Sequence, residues 1–424
     1  MKSQDNVLFT PALWPAQAHI PTVAGRQIII TRGEGCYIYD KDGRRLFDGT
    51  AGLWHANVGH GRIELAEAAK DQMERLETYH IFGRFVNDQA LNLADRLAAM
   101  SPIRDCKVIL NSGGADAIDV ACKLARRHWQ LEGQTEKTFI LSREFAYHGL
   151  HGFGTSIAGL DFNREGYGGD SLIPETARIP LHDLAQTAEI IRQLGPSRIA
   201  ALVTEPIQGT GGVYPPPDGY LLALQQLCLE NDILFILDEV ITGFGRTGHM
   251  FAADKYALNP DMIVFAKGVT SGYIPLGGVL VAPRVWQHFF SYGDNTPTFR
   301  HGATYAGHAT ACAVASRNLD ILEKEGLVAR ALQLENCLAA GLNELREAHM
   351  SVADVRVAGF MGGITLAEDV DAVTVSDEVI ELGFICRPLR GNTLQISPPF
   401  ISAEEEVNAL VDAIGTVLHG FEGR

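Results

Sequence analysis

Two short apolar runs, each closed by one charged group, set the strongest limit on how this chain folds. Ile233 to Leu237 runs into Asp238 and Glu239, and Met262 to Ala266 runs into Lys267. Both runs are rich in Ile, Val and Phe and end in glycine-containing turns, so they read as buried parallel strands. Open α/β sheets bind small molecules beyond the carboxyl ends of their strands. A carboxylate and an amine are therefore expected on the same rim of a mostly parallel sheet.

That pairing suits one chemistry. A lysine in a closed site can form a Schiff base with an aldehyde. Pyridoxal phosphate (PLP) is such an aldehyde, and its ring nitrogen needs an acidic partner to stay protonated. Lys267 would supply the amine and Asp238 the acid. A competing pattern is G-x-G-x-x-G at Gly243, Gly245 and Gly248, the form of a dinucleotide fingerprint. Its context is wrong. Asp238 to Thr242 separate the first glycine from the strand, and Asp261 opens the next strand instead of closing it.

DEVITGFGRTG, PDMIVFAKG and PLGGVLV, in this order, resemble the class III aminotransferases, the ω-aminotransferase branch of fold-type I PLP enzymes. The resemblance extends over most of the chain. It implies a large, mostly parallel α/β lobe and a small α+β lobe built from both chain ends. The divisions expected are an N-terminal arm and part of the small lobe at 1–60, a PLP-binding lobe at 61–310 and the rest of the small lobe at 311–424. It further implies transfer of an amino group from an amine or ω-amino acid to a keto acid such as pyruvate, with Lys267 as Schiff-base and proton-transfer residue. A PLP aminomutase, epimerase or decarboxylase on the same scaffold would keep every cofactor residue. An NAD-dependent dehydrogenase would need the glycine fingerprint to act.

Other segments add candidate residues. Lys107 to Asn111 reads as a strand, followed by Ser112-Gly113-Gly114-Ala115 and a helix from Asp116 to Gln130. A glycine turn before a helix N-terminus is an anion site, here for the PLP phosphate. The family usually has a hydroxyl residue and a glutamate where this chain has Gly113 and Asp116. Phe145-Ala-Tyr147-His148-Gly149 follows a strand at Thr138 to Ser142. The resemblance puts Tyr147 on the cofactor ring, with Val240 on the opposite face and His148 nearby. Glu205 closes a strand at Ile199 to Val203, and the family's E-P-I-Q-G glutamate lies beside the cofactor. Thr304 matches a threonine that reaches the phosphate of the neighbouring subunit, which implies a homodimer or a homotetramer.

For substrate, the glycine-rich loop from Asp48 to Gly61 carries Trp54 and His55, and the family's loop lines the substrate entrance. Phe82 is a candidate wall residue. Arg387 and Arg390 could each pair a carboxylate bidentately; the spacing leaves the choice open, with Arg390 preferred. Residues 152–180 read as a long loop shaping the site.

Composition excludes other classes. Lys and Arg number 35 against 51 Asp and Glu, a net charge of −16 with no basic block, which argues against nucleic acid. No apolar run approaches the roughly 18 residues of a membrane span. The segment MKSQDNVLFTPALWP has no continuous apolar core, so no secretory leader is expected. Seven scattered cysteines, without C-x-x-C, fit reduced thiols and a cytoplasmic location. His148 and His151 lack companions at ligand spacing, so no metal is expected.

Overall fold

The computed structural model describes residues 12–168 and 172–422. Residues 1–11 of the expected N-terminal arm and 169–171 of the expected long loop lie outside the described residues. The first sheet is antiparallel: β1 (Ile30–Glu34), β2 (Tyr37–Asp40) and β3 (Arg45–Phe47) in that order. Asp40 fixes the turn between β2 and β3, its Oδ1 accepting from the Asp42 and Arg44 amides.

The main sheet is built from β4 (Lys107–Asn111), β5 (Phe139–Arg143), β6 (Thr176–Ile179), β7 (Ile199–Thr204), β8 (Leu234–Asp238), β9 (Met262–Phe265) and β10 (Gly277–Val281). Their order is β4-β10-β9-β8-β7-β5-β6. All neighbouring pairs are parallel except those of β10, which runs antiparallel to β4 and β9. The two runs that end in Asp238 and Lys267 are adjacent parallel strands, with Asp238 in register with Val264.

Every residue of β7, β8 and β9 is buried. Alternate side chains point to opposite faces of a strand, and both faces here are covered. Leu234, Ile236, Met262 and Val264 pack with Ala117, Ile118, Ala121 and Leu124 of one long helix. Phe235, Leu237, Ile263 and Phe265 belong to the core on the other face. Fully burying each such side chain contributes about 1.5–3 kcal/mol, which is why these strands lack the polar–apolar alternation of half-exposed ones.

The helices that frame the site are α1 (Ile63–Leu76), α2 (Asp88–Met100), α3 (Gly114–Leu131), α4 (Ala309–Lys324), α5 (Leu327–Ala348) and α6 (Glu404–Glu422). A second antiparallel sheet, in order β11-β12-β14-β13, comprises β11 (Val352–Val357), β12 (Gly362–Leu366), β13 (Arg387–Leu389) and β14 (Thr393–Ile396). The two chain ends meet where the Phe47 amide donates to Gly383 O at 2.8 Å and the Ile385 amide to Phe47 O at 3.0 Å. The architecture is the expected α/β one, a mostly parallel seven-stranded sheet with smaller antiparallel sheets.

Two expectations are displaced. The helix after β4 starts at Gly114, not Asp116, so the glycines belong to its first turn. Within 152–180, Thr176–Ile179 forms β6, a four-residue edge strand flanked by Pro174 and Pro180 and too short to show a period. β13 begins only at Arg387, and Phe384 before it bridges to Phe47 instead.

Candidate active site

Most of the chain's candidate residues leave the carboxyl ends of the main sheet together. A cavity of about 1020 Å³ opens there, lined among others by Gly114, Ala115, Trp54, Tyr147, His148, Glu205, Asp238, Val240, Lys267, Arg387 and Arg390. At its base lies Asp238, nearly fully buried. His148 Nδ1 donates to Asp238 Oδ2 at 2.7 Å, and the Val240 amide donates to Oδ1 at 3.1 Å. These two bonds fix the carboxylate's plane. They leave lone pairs facing the cavity, since each carboxylate oxygen can accept twice. His148 is therefore a positioning residue for Asp238.

Lys267 follows β9 with φ of +46°, a left-handed conformation that a side-chain-bearing residue rarely adopts. Such strain costs on the order of 1–3 kcal/mol and persists where surrounding structure imposes it. Burial pulls the Lys267 ammonium down from its ordinary range to about 8; Asp238 and Glu205 oppose this, and Arg387 adds to it. Desolvation outweighs the two carboxylates, so an unprotonated amine is within reach near neutral pH.

Two aromatic residues shape the walls. Trp54, 2 % exposed, has Lys267 Nζ 5.3 Å from its ring centroid and Arg387 Cζ also at 5.3 Å. Its Nε1 is buried without a hydrogen-bond partner among the described residues. The loop that holds it is wound by Asp48, which accepts from the Gly52 amide at 2.7 Å, the Thr50 hydroxyl at 3.0 Å and His60 Nε2 at 2.8 Å. Ala51 and Trp54 sit at φ of +46° and +59° within this loop. Tyr147 faces the same space, and burial raises its phenol pKa.

Glu205 lies beside the cavity as expected, but its carboxylate serves the backbone. Oε1 accepts from the Tyr147 amide and Oε2 from the Gly209 amide, both at 3.0 Å. Its burial raises its pKa, and its clearest effect is to place Tyr147.

The anion end is the start of α3. Gly113 is the N-cap, with no side chain satisfying the first-turn amides. The first amides of a helix lack partners within it and, with the helix dipole, attract anions. A Cβ on Gly114 would stand 2.9 Å from Val240 Cγ2, and one on Gly277 would stand 2.7 Å from the Gly113 carbonyl. Glycine is thus required for the helix start to approach β10 and Val240 this closely.

The two arginines divide. Arg387 is partly buried above Trp54, and among the described residues it has no carboxylate partner. Burial lowers its pKa, and Tyr147 opposes the shift. Arg390 is exposed at the mouth, its guanidinium 3.7 Å from the Phe145 ring centroid. The inner position is therefore that of Arg387, against the preference for Arg390. Phe82 and Thr304 do not line this cavity. Phe82, 44 % exposed, packs on Gly302, so the two share a patch of the chain's own surface. Sequence reading missed Leu53, Phe162, Tyr167 and Leu389 in the lining; the aromatic residues within 152–180 were the available signal.

The glycine fingerprint plays no cofactor part. Residues 241–247 are buried, the only helix that follows closely among the described residues is the four-residue Ala252–Lys255, and Gly245 and Gly248 pack against Phe400 and Leu332.

The donor set fits PLP: an amine for the aldehyde, a carboxylate for the ring nitrogen, side chains for both ring faces and an uncapped helix start for the phosphate. Residues 21–418 match the family model "Aminotransferase class-III". The chain belongs to the class III aminotransferases. It is accordingly a PLP-dependent transaminase. The β-alanine–pyruvate aminotransferase of Pseudomonas aeruginosa is 34% identical over 415 residues, 93% of this chain and 92% of the relative. The diaminobutyrate–2-oxoglutarate transaminase of Halomonas elongata is 33% identical over 416 residues, 90% of this chain and 88% of the relative. Among solved structures, a thermostable (S)-enantioselective ω-transaminase from Thermomicrobium roseum superposes with a TM-score of 0.91 at 36% identity, covering 96% of each chain.

Proposed function

We propose that this class III aminotransferase moves an amino group from a primary amine or ω-amino acid to pyruvate, with Lys267 and Asp238 as its catalytic residues. The observation that carries the reading is the convergence of Lys267, Asp238 and the carboxylate-free Arg387 on one cavity. PLP, when bound, supplies an electron sink to the carbon that bears the amino group. Asp238, oriented by His148, holds a proton and its positive charge at the ring nitrogen. Lys267 Nζ would hold the aldehyde group and, as a free amine, would take and return a proton at the substrate carbon as base and acid. Gly113, Gly114 and Ala115 hold the phosphate by backbone amides. Tyr147 and Val240 confine the ring.

Arg387 pairs the keto acid's carboxylate, and Trp54 offers an apolar face to the rest of the substrate. A small acceptor agrees with the pyruvate-using relative of Pseudomonas aeruginosa. The exposed patch at Phe82 and Thr304 supports a homodimer in which Thr304 of one protomer completes the phosphate site of its partner. Among the described residues no helix is long and apolar enough to cross a membrane. The free state of all seven cysteines supports a cytoplasmic setting.

Incubating the PLP-loaded enzyme with pyruvate and either β-alanine or an apolar primary amine tests the reading. Alanine should accumulate in step with loss of donor. No alanine from any donor in this set, with the cofactor demonstrably bound, would contradict it.

A further inference from the structure

At the far end of α3 from the phosphate cradle, three electron-pair donors meet. His128 Nδ1 lies 3.1 Å from His288 Nε2, and the same His288 atom lies 3.1 Å from Glu132 Oε1. All three atoms fall within 4.8 Å of one another. His128 and Glu132 are one helical turn apart and share a face, while His288 comes from the short turn Gln287–Phe289 that follows β10. We propose that His128, Glu132 and His288 form a binding site for a divalent transition-metal ion of the zinc type, separate from the cofactor cavity.

Hydrogen bonding alone satisfies this cluster poorly. His288 Nε2 carries at most one hydrogen and faces both an imidazole nitrogen and a carboxylate oxygen. A cation among them accepts all three lone pairs. The two spacings of 3.1 Å are close to what such an ion needs: ligand bonds of about 2.0–2.1 Å in a tetrahedron put neighbouring donors roughly 3.3 Å apart. Two imidazoles and one carboxylate are a zinc donor set, with the fourth position left to water.

The surroundings favour a cation. Glu132 is the C-cap of α3, where the helix dipole disfavours a carboxylate. His128 is buried edge-on against Trp129, ring centroids 4.7 Å apart, so packing sets its direction. His288 and Glu132 are more open and leave an ion a way in. The neighbouring cations are already compensated. Arg284 pairs Asp232 and Asp261, Lys137 pairs Asp232, and both lie over the Trp129 ring. A bound ion would tie the end of α3 to the segment after β10, a structural clamp that takes no part in amino transfer.

The test is metal analysis of the PLP-loaded enzyme after equilibration with Zn²⁺ and removal of free ion, for wild type, His288→Ala and Glu132→Gln. Wild type should retain about one more zinc per chain than His288→Ala, and Zn²⁺ should raise the melting temperature of wild type only. Glu132→Gln, which keeps the shape, should weaken retention at least tenfold. All three should keep wild-type transaminase activity, which reports that each variant is folded. Co²⁺ in place of Zn²⁺ should give ligand-field absorption in wild type that His288→Ala lacks. Equal zinc content in wild type and His288→Ala, or none in either, would overturn the site and leave a proton-sharing histidine pair.

Discussion

The reactivity proposed for Lys267 rests on a contest between burial and charge that burial wins. Its pKa stands at about 8, below the ordinary 10.5, so the free-amine fraction rises as pH increases through about 8. Cofactor-stripped protein should accordingly reload PLP faster as pH rises, with a midpoint near 8; a midpoint near 10 would mean that the amine is solvated. Between these two values the unfolded chain holds a proton that the folded one lacks, so the stripped protein should also gain stability with rising pH in that window. Lys267→Ala should remove that gain. Asp238→Asn keeps the hydrogen-bonding shape but loses the charge, and should lower kcat roughly 10²–10³-fold, the size of a lost preorganised electrostatic contact. Arg387→Ala should raise the KM for pyruvate by roughly 30–100-fold, equivalent to about 2–3 kcal/mol for a charge-assisted bond. Arg390→Ala should leave it within a few-fold, and the reverse order would return the carboxylate to Arg390.

At the level of elements, the start of α3 does the most with the least sequence. Gly114→Val would drive a branched side chain into Val240, which a Cβ alone already approaches to 2.9 Å. Overpacking of this kind costs about 1–3 kcal/mol, and PLP affinity should fall measurably more than global stability in a denaturant titration. The strands carrying Asp238 and Lys267 were legible because both of their faces are buried, which writes them as continuous apolar runs. β4 could be read to the residue. β6 could not, since a four-residue edge strand between prolines carries no period. The choice between Arg387 and Arg390 was illegible for a different reason: it depends on where β13 begins, and that is set by Phe384 bridging to Phe47 across more than three hundred residues. Glu205 was legible as a site residue, but its attachment to the Tyr147 and Gly209 amides is a property of two loops meeting.

Across the whole molecule, one buried cation links the turn after β8 to segments near both chain ends. Arg246, inside the glycine-rich turn after β8, donates to the carbonyls of Phe360, Ser397 and Pro398 and to Asn57 Oδ1, and its guanidinium lies 4.5 Å from the Phe400 ring centroid. Burial lowers its pKa to about 9, Asp48 opposing the shift. The G-x-G-x-x-G pattern thus belongs to a structural joint between distant segments of the chain. Arg246→Ala should cost about 3–5 kcal/mol in urea unfolding, because it strands buried acceptors.

The central claim, that Lys267 binds PLP and exchanges amino groups there, is tested most directly by absorption spectroscopy of the purified protein. Wild type should show a visible band that an amine donor bleaches and pyruvate restores, and Lys267→Ala should lack both the band and the cycle. A band that no amine bleaches would keep the cofactor but place the reaction with the aminomutases or epimerases. No band after incubation with PLP would contradict the assignment outright.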